Sequence, residues 1–525
     1  LYILSDIKKH RKDKKMNKKK FSVLKRISML SAVIMLTLTA AFSLTACGKS
    51  NIPENTVFSA DDLAGKSVGV QLGTTGDIYV SDMESDGSGT KVERYNKGND
   101  AIQALKQGKI DAVVIDAQPA KAFVNANSDL CMLNEDFVTE EYAICIAKNN
   151  SSFTSKVNDA LNVLINNGTI DNIISNYIGE NASKQPYEPT GSGENGTLTI
   201  AVNAYFEPYE YYNNGKVSGI DIDISNAIAD YLGMKLSVED MEFDSIITAV
   251  SSGKADMGIS GITVTEERKK NIDFTIPYTT SSQVIIVRNN DAANQGISFS
   301  DKFKTDFIKD GRYQYLLTGL KNTLIIALCA AIMGIVIGFL IAVVRSNHDK
   351  TGGMKVLNFI CNIYLTVIRG TPTMVQLLII YYVIFSSVQV NKIIVAILAF
   401  GINSGAYVAE IFRSGIMSID NGQFEAARSL GLSYRKTMKL VILPQAFKNV
   451  LPALANEFIV LLKETSISGY IGLNDLTRGG DIIRSITYDP MLPLFGVAII
   501  YLVLVVILSS LVKKLERRLR SNERH

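Results

Sequence analysis

The 525-residue chain has no tryptophan, only three histidines and five cysteines, and a net charge of +3. His10, His348 and His525 fall in tails or in a loop, which excludes serine-histidine or cysteine-histidine catalysis and most zinc sites. So small a net charge gives no case for nucleic acid as a partner. The segment nearest to a G-x-x-x-x-G-K-[ST] motif, GSGENGT at 191–197, lacks the lysine. We therefore expect no enzyme activity, no metal and no cofactor, and any ATP-driven work must be powered by another chain.

The N-terminus has the composition of an export signal. MNKKKFSVLKR, from Met16, is basic, ISMLSAVIMLTLTAAFSL is apolar, and LTAC ends at Cys47. This order resembles a bacterial lipoprotein signal over 1–47, which would leave Cys47 lipidated. An ordinary cleaved signal or a first membrane anchor is the alternative. Residues 1–15 precede Met16, and an over-long gene prediction would explain them.

Long apolar runs are concentrated after residue 315, and they predict membrane spans. The expected spans are 316–344, 373–390, 392–412, 452–472 and 491–512. The basic segments RSNHDKTGGMK (345–355) and KKLERRLRSNER (513–524) favour the cytoplasmic side, which places the C-terminus inside and the segment before the first span outside. Because five spans cannot enclose a pore alone, we expect two copies of the chain to face each other in the lipid bilayer.

The part of the chain before the spans consists of two α/β blocks, 57–180 and 197–290, joined by the polar segment ENASKQPYEPTGSGENG. AIQALKQGKIDAVVI in the first block matches IITAVSSGKADMGIS in the second. Both predict an amphipathic helix, a glycine stop, a lysine and an aspartate that opens a buried strand. The match indicates two related lobes. Cys131 and Cys145 could form a disulfide, or both could remain free thiols.

The two blocks resemble a polar amino acid solute-binding protein in reversed order. LTIAVNAYFEPYEYYNNGKVSGIDIDISNAIADYLG and DMGISGITVTEERKKNIDFTIPY look like the first half of that family, and DLAGKSVGVQLGTTGDIYV through DNIISNYIG is similar to its second half. A circular permutation explains this order, with lobe two at about 57–145 and lobe one at about 146–290, joined through EEYAICIAK. The alternative is two incomplete domains that are completed by another copy of the chain through domain swapping.

The resemblance implies that a free amino acid binds between the lobes. Arg268 would hold its carboxylate with a bidentate fork, and Gly261 and Thr263 would add contacts from the same loop. Thr75 would close on the same carboxylate from the GTTG turn, where the amides of a helix N-terminus favour an anion. Asp116 would neutralise the ammonium group.

The same resemblance assigns the ligand's side chain to a second set of residues. Phe206 and Phe243 match aromatic positions that sandwich it, and Gln71 and Asn203 fall where the family distinguishes one side chain from another. Because Gln71 and Asn203 are both neutral, they weakly favour an uncharged polar ligand over arginine or lysine.

Each of these residues also has a plainer structural interpretation. Arg268 could be a surface arginine paired with Glu266 or Glu267. Thr75 and Asp116 could simply cap the helices that follow them. The phenylalanines could belong to the hydrophobic core.

EAARSLGLSYRKTMKLVILPQAF (425–447) strongly resembles the Glu-Ala-Ala loop of ABC importer permeases. In that family a short helix of this loop docks on the ATP-binding subunit. The residues that match the motif here are Glu425, Ala426, Ala427, Gly431 and Pro444. VIRGTPTMVQLLIIYY (367–382) and LLKETSISGYIG (461–472) also resemble amino acid permeases.

The predicted fold class is an α/β two-lobed solute-binding domain (57–290) followed by an all-α polytopic membrane domain (316–515) with about five transmembrane helices. A linker with an interfacial helix (291–315) joins them, and a cytoplasmic tail (516–525) ends the chain. The predicted function is amino acid uptake across the bacterial cytoplasmic membrane with a separate ABC ATP-binding subunit. The alternative is an amino-acid-gated channel or sensor, which would have no need of the 425–447 loop.

Overall fold

The computed structural model describes residues 53–179, 182–183, 185–290, 298–386, 388, 390–489 and 491–521. The described residues from Asn55 onward belong to one compact unit, which contains both lobes and the helical domain. The predicted signal at 1–47, with Cys47, and the beginning of the expected linker at 291–297 lie outside the described residues.

Alternating strands and helices form the region up to residue 290. The strands are β1 (Ser67–Gln71), β2 (Lys91–Tyr95), β3 (Ala112–Asp116), β4 (Leu130–Met132), β5 (Val138–Tyr142), β6 (Cys145–Ala147), β7 (Thr197–Val202), β8 (Tyr205–Phe206), β9 (Glu210–Asn213), β10 (Lys216–Ser218), β11 (Lys235–Asp240), β12 (Met257–Gly258), β13 (Ile272–Phe274) and β14 (Thr279–Arg288). The helices are α1 (Thr75–Ser85), α2 (Gly98–Lys106), α3 (Ala117–Ala126), α4 (Ser151–Asn166), α5 (Thr169–Tyr177), α6 (Ile220–Leu232), α7 (Ile246–Ser251) and α8 (Glu266–Lys269).

Each lobe is built around one sheet. The sheet of lobe two has the strand order β2-β1-β3-β14-β4, and β5 also pairs with β14. The sheet of lobe one has the order β11-β7-β12-β6-β13, beside the small antiparallel sheet β10-β9-β8. Cys131 and Cys145 lie in different sheets and do not form a disulfide with each other.

The expected boundary of lobe one at 290 is wrong, because β14 belongs to the sheet of lobe two. β14 pairs antiparallel with β3, β4 and β5, and its residues from Gln283 to Arg288 are all buried. A continuous apolar run such as VIIV suits a strand that is covered on both faces. Lobe one therefore ends near Tyr278, and the chain crosses between the lobes twice, after β5 and after β13.

The ends of the two-lobed domain lie side by side in lobe two. The backbone N–H of Asn55 donates to Asn290 Oδ1 at 2.9 Å. The segment between the blocks packs on α6, where the backbone N–H of Tyr187 donates to Asp223 at 2.8 Å. In the described residues both lobes are formed by one chain, and the circular permutation remains a prediction.

The chain after Ser298 is helical. Its helices are α9 (Phe299–Phe303), α10 (Tyr313–Thr351), α11 (Lys355–Gly370), α12 (Thr373–Ile379), α13 (Lys392–Met417), α14 (Asn421–Ser429), α15 (Tyr434–Thr437), α16 (Leu443–Glu464), α17 (Leu476–Thr487) and α18 (Leu492–Ser521). The expected tail at 516–525 is therefore helical as far as Ser521.

Three helices in the described part of the chain, α10, α13 and α18, are long and apolar enough to cross a membrane. The pair formed by α11 and α12, which continues to Ile384, is bent by 108° and gives a fourth candidate. By this criterion the described residues give three spans, or four with the bent pair, fewer than the five expected. The expected span at 452–472 is not one α-helix, because α16 ends at Glu464 and a 3₁₀ helix follows at Thr465–Ile471. Polar residues such as Asn449, Asn456 and Glu457 also make α16 less apolar than the other candidates.

Small residues bring α10 and α13 close together. A Cβ built on Gly334 would lie 2.9 Å from Ser404 Cβ, and one built on Gly338 would lie 2.7 Å from the backbone nitrogen of Ala409. Such contacts let helix backbones pack closely in a membrane. Because Gly334 meets Ser404 and the later Gly338 meets the later Ala409, the two helices run in the same direction.

The helix α16 runs antiparallel to α13 along most of its length. A Cβ on Gly415 would lie 2.0 Å from Val450 Cγ1, and Ser404 Oγ donates to Glu457 Oε1 at 2.9 Å. The segment between α13 and α16 therefore lies at one end of the helical domain, and α17 lies at the other, next to the two-lobed domain.

We expect a relinked domain to fold as a monomer with the same cleft. In this variant, a short Gly/Ser linker joins Asn290 to Asn55, and the chain starts at Thr197 and ends at Ile178. Its free energy of unfolding should lie within about 1 kcal/mol of that of the 55–290 segment, because exchanging loops of similar length changes closure entropy little. Thermal unfolding and size-exclusion chromatography of both proteins would measure this. A relinked domain that folds only as a dimer would support domain swapping.

Candidate functional site

Arg268 lies where the two lobes meet. The short helix α8 positions it, because the backbone N–H of Arg268 donates to the capping hydroxyl of Thr265 at 3.2 Å. The guanidinium group donates to the carbonyl of Thr263 in lobe one at 2.7 Å and to the carbonyl of Gly73 in lobe two at 2.8 Å. One positive charge thus binds to the backbone of both lobes.

Arg268 is not the surface arginine of the alternative interpretation. It is 7% exposed, and its guanidinium lies 5.8 Å from the centre of the Phe243 ring. Glu266 instead pairs with Lys269 at 2.8 Å. Among the described residues, no carboxylate oxygen lies within 4.0 Å of the guanidinium nitrogens of Arg268, so its charge is available to an anion.

The GTTG turn brings Thr75 to the same point from lobe two. Thr74, not Thr75, caps α1, since its side chain accepts from the backbone N–H of Asp77 at 3.5 Å. The hydroxyl of Thr75 is therefore not required as a cap. It donates to the hydroxyl of Thr263 at 2.8 Å across the boundary between the lobes.

Asp116 is buried at the end of β3. It occupies the N-cap position of α3, but its side chain makes no capping hydrogen bond and instead accepts from the hydroxyl of Tyr142. Burial raises the pKa of Asp116 to about 7, and the nearby Glu140 carboxylate adds to this shift. Burial likewise raises the pKa of Glu140. This carboxyl pair therefore favours holding a proton in the absence of a positive partner.

Glu140 and Gln283 are cleft residues that our sequence reasoning missed. Gln283 pairs with Asp116 in register, and Glu140 pairs with Ser281, so all four side chains share one face of the sheet. Glu140 accepts from the hydroxyl of Thr263. Within the described part of the chain, Glu140 Oε1 and both side-chain amide atoms of Gln283 are buried without a hydrogen-bond partner. Buried polar atoms of this kind indicate a place for a polar ligand or water.

The residues expected to contact a ligand side chain lie beside this cluster. The side-chain amide of Gln71 donates to Asn203 Oδ1 at 3.5 Å across the lobes. Gly261 has a φ of +53°, and a Cβ there would lie 2.8 Å from the Phe206 ring, so only glycine fits. Its backbone N–H, which we expected to face the ligand, donates to Asp221 at 3.0 Å.

The structure thus gathers all nine predicted cleft residues at the junction of the lobes. An adjacent cavity of about 320 Å³ opens beside Arg268 and is lined by both lobes. Its lining residues are Gly73, Ile78, Phe243, Asp244, Ile246, Ile247, Ile262, Glu267, Arg268 and Asn271.

The residues of the 425–447 loop lie at the opposite end of the helical domain. Glu425 is exposed on α14, and Gly431 follows it with a φ of +81°. Phe424 and Tyr434 pack edge to face at 5.7 Å and hold α14 against α15. Ala426 is exposed, Ala427 is buried, and Pro444 lies in the first turn of α16.

The raised pKa of Asp116 predicts a pH-dependent stability. Above about pH 4 the unfolded chain loses the proton of Asp116, whereas the folded chain keeps it up to about pH 7. The contribution of Asp116 to the free energy of unfolding is therefore full below about pH 4 and is lost as the pH rises through about 7. Asp116→Asn cannot ionise, so its stability relative to wild type should rise as the pH increases from about 4 to about 7 and stay level above that. Urea unfolding of the 55–290 segment, with the exposed Asp159→Asn as control, would measure this. Parallel profiles for wild type and Asp116→Asn would contradict it.

Two protein families match the chain. The bacterial extracellular solute-binding proteins, family 3, match residues 198–378, and the binding-protein-dependent transport system inner membrane component matches residues 334–521.

Individual relatives match the helical domain. An arginine transport system permease protein of Bacillus subtilis (strain 168) is 41% identical over 211 residues, which cover 40% of this chain and 94% of that protein. A glutamine transport system permease protein of Escherichia coli (strain K12) is 37% identical over 208 residues, covering 39% of this chain and 93% of that protein. The crystal structure of an amino acid ABC transporter with histidines is 40% identical, with a TM-score of 0.39, and covers 43% of this chain and 100% of that chain. The chain therefore belongs to the binding-protein-dependent ABC transport permeases, and it carries a family 3 extracellular solute-binding domain in the same polypeptide.

Proposed function

We propose that this chain imports a polar amino acid across the bacterial cytoplasmic membrane. The two-lobed domain captures the amino acid outside, two copies of the helical domain form the pathway, and a separate ATP-binding subunit drives transport. The observation that carries this proposal is Arg268, which is buried between the lobes and bound to backbone carbonyls of both.

The charges at the lobe junction suit a zwitterion. An α-carboxylate that replaced the carbonyl of Gly73 on Arg268 would form charge-assisted hydrogen bonds, to which the hydroxyls of Thr75 and Thr263 would add. An ammonium group near Asp116 would stabilise the ionised form of a carboxyl whose pKa is about 7 without a partner. Because both lobes would touch one ligand, binding would favour the closed cleft.

Two classes of amino acid side chain fit the cleft. The neutral pair of Gln71 and Asn203 favours an uncharged polar side chain such as that of glutamine. The second carboxylate, Glu140, favours a cationic side chain, since Arg268, Asp116 and Glu140 together carry one negative charge when all are ionised. The relatives include both glutamine and arginine permeases.

We further propose that the two-lobed domain is extracytoplasmic and that α16 is a fifth membrane crossing. Its 22 residues would span about 33 Å, enough for the apolar core of a bilayer. Two of its polar residues have partners on α13 or just after it, since Glu457 accepts from Ser404 and Asn449 donates to Ser418. The basic end of α18 would then be cytoplasmic, together with the 425–447 loop.

The 425–447 loop is the proposed docking site of the ATP-binding subunit. It presents the exposed Glu425 next to Leu430, whose side chain is 84% exposed, so it has both a charge and an apolar group to offer a partner. The proposed homodimer rests on the exposed apolar side chains of α11, including Val356 at 73% and Phe359 at 65%, which would face lipid or the second copy.

Arg268→Ala should abolish amino acid binding without unfolding the domain. The variant loses the cation that the α-carboxylate requires, and we expect affinity to fall by roughly 100-fold or more, as for a charged hydrogen bond in a desolvated site. Calorimetric titration of the full-length chain would measure this. Arg94→Ala, which removes a half-exposed arginine paired with Asp77, is the control and should bind normally. Normal binding by Arg268→Ala would overturn the assigned ligand site.

Glu425→Ala combined with Gly431→Val should remove the stimulation of ATP hydrolysis by the amino acid and leave amino acid binding intact. The valine would be strained at a φ of +81°, so the turn after α14 would shift. ATPase assays of the reconstituted complex would show this, with the exposed Glu194→Ala as a matched control. Unchanged stimulation would contradict the proposed docking site, and amino-acid-gated ion flux without an ATPase would favour the channel.

A further inference from the structure

The helix α17 holds a fully buried arginine against lobe one. Arg478 is 2% exposed, and it forms an ion pair with Asp240 and another, at 3.6 Å, with Glu242. The guanidinium also lies 5.5 Å from the centre of the Tyr205 ring. Breaking such a buried pair would leave an uncompensated charge, so this contact is costly to separate.

Two lysine contacts fix lobe one to the start of α13 and to the loop before it. Lys392 pairs with Glu239 at 2.6 Å. Lys254 of lobe one donates to the carbonyls of Phe385 at 3.1 Å and Val388 at 2.9 Å.

The apolar core of lobe one also continues into the helical domain. The buried residues Met241, Ile246 and Ala249 of lobe one belong to one cluster with Tyr381 and Val395 of the helical domain. Separating them would expose apolar surface to water, at about 25 cal/mol for each Å².

Lobe two touches α17 mainly through charged side chains at its edge. Arg484 pairs with Asp100, whose side chain is 40% exposed. Lys97 pairs with Asp481 at 2.5 Å, with side chains 14% and 13% exposed. The aromatic contact of this interface is Phe123 against Tyr488, at 5.1 Å. Among the described residues, Tyr488 is the one residue of the helical domain packed on the apolar core of lobe two, so separating this contact exposes less apolar surface than separating lobe one does.

We propose that lobe one stays docked on the membrane domain throughout transport, whereas lobe two docks on α17 only when the cleft closes. Each lobe pairs with a buried arginine of α17, but lobe one also shares an apolar core with the membrane domain, so the contacts of lobe two are the weaker ones. When the cleft opens, the lobe with the weaker contacts moves. On α17, Asp481 then loses its ion pair with Lys97, and Arg484 loses its ion pair with Asp100. The helix α17 therefore has different partners in the open and in the closed domain.

Lysine acetylation of the wild-type, full-length chain in nanodiscs tests this directly. Lys97 of lobe two and Lys392, which contacts lobe one, are matched, because each forms one short ion pair across the interface and their side chains are 14% and 18% exposed. Each also has one longer contact with lobe one, Lys97 with Glu242 at 3.9 Å and Lys392 with the carbonyl of Asp240 at 3.3 Å. Without an amino acid, we expect Lys97 to react roughly tenfold faster than Lys392, as expected for a locally open contact. The exposed Lys216 gives the unprotected rate.

Equal rates at Lys97 and Lys392 in the absence of an amino acid would overturn the proposal, whether both are slow or both are fast. L-Glutamine and L-arginine are the probes for the closed state. Calorimetry first shows which probe binds. Saturation with that probe should slow the acetylation of Lys97 to the rate of Lys392. If Lys97 still reacts fast, the proposal is also overturned. If neither probe binds, the proposed ligand is contradicted, but the proposed difference between the lobes is not. That difference is tested by the acetylation rates measured without an amino acid.

Variants of the membrane domain provide a second measurement. Arg484→Gln removes a contact that only the closed domain makes, so it should weaken binding of the probe roughly fivefold through linkage. Lys392→Gln removes a contact made in both states and should leave affinity unchanged. The charge swap Asp100→Arg with Arg484→Asp should restore affinity. Equal effects of Arg484→Gln and Lys392→Gln would contradict the proposed difference between the lobes.

Discussion

The position of one guanidinium between two lobes is the constraint on which this structure depends. Arg268 donates to a carbonyl of Thr263 on one side and of Gly73 on the other, and it is buried away from water. Within the described residues, the hydrogen-bond acceptors of this buried guanidinium are backbone carbonyls, which carry no charge, so the cation is well placed to bind an anion. The carboxyl groups of Asp116 and Glu140 lie in the same junction and supply the charge opposite to that of Arg268. Capture and closure therefore depend on the same residues.

The reversed order of the lobes changes where the binding domain is attached. Its first and last residues meet in lobe two, as the hydrogen bond between Asn55 and Asn290 shows. Its strongest contacts with the membrane domain, however, come from lobe one, through Asp240 and the apolar residues around Met241. One lobe thus carries the covalent connection and the other carries the packed interface, which leaves the hinge between them as the moving part.

Local motifs in the sequence predicted much of the cleft, because the GTTG turn and the GITVTEER loop each determine their own conformation. Glu140 and Gln283 were missed since their proximity to Asp116 depends on strand register, which no local pattern reveals. The assignment of β14 to lobe two failed for the same reason. In the membrane domain, the expected span at 452–472 does not meet the criterion of apolar composition. The helix α16 contains polar residues such as Glu457, which accepts a hydrogen bond from Ser404 of a neighbouring helix.

The most direct test of the account is calorimetric titration of the purified full-length chain against the common amino acids. The account predicts tight binding of one or a few polar amino acids, with one molecule bound per chain in the two-lobed domain. A folded chain that binds none of them would contradict it, as would one binding site for every two chains.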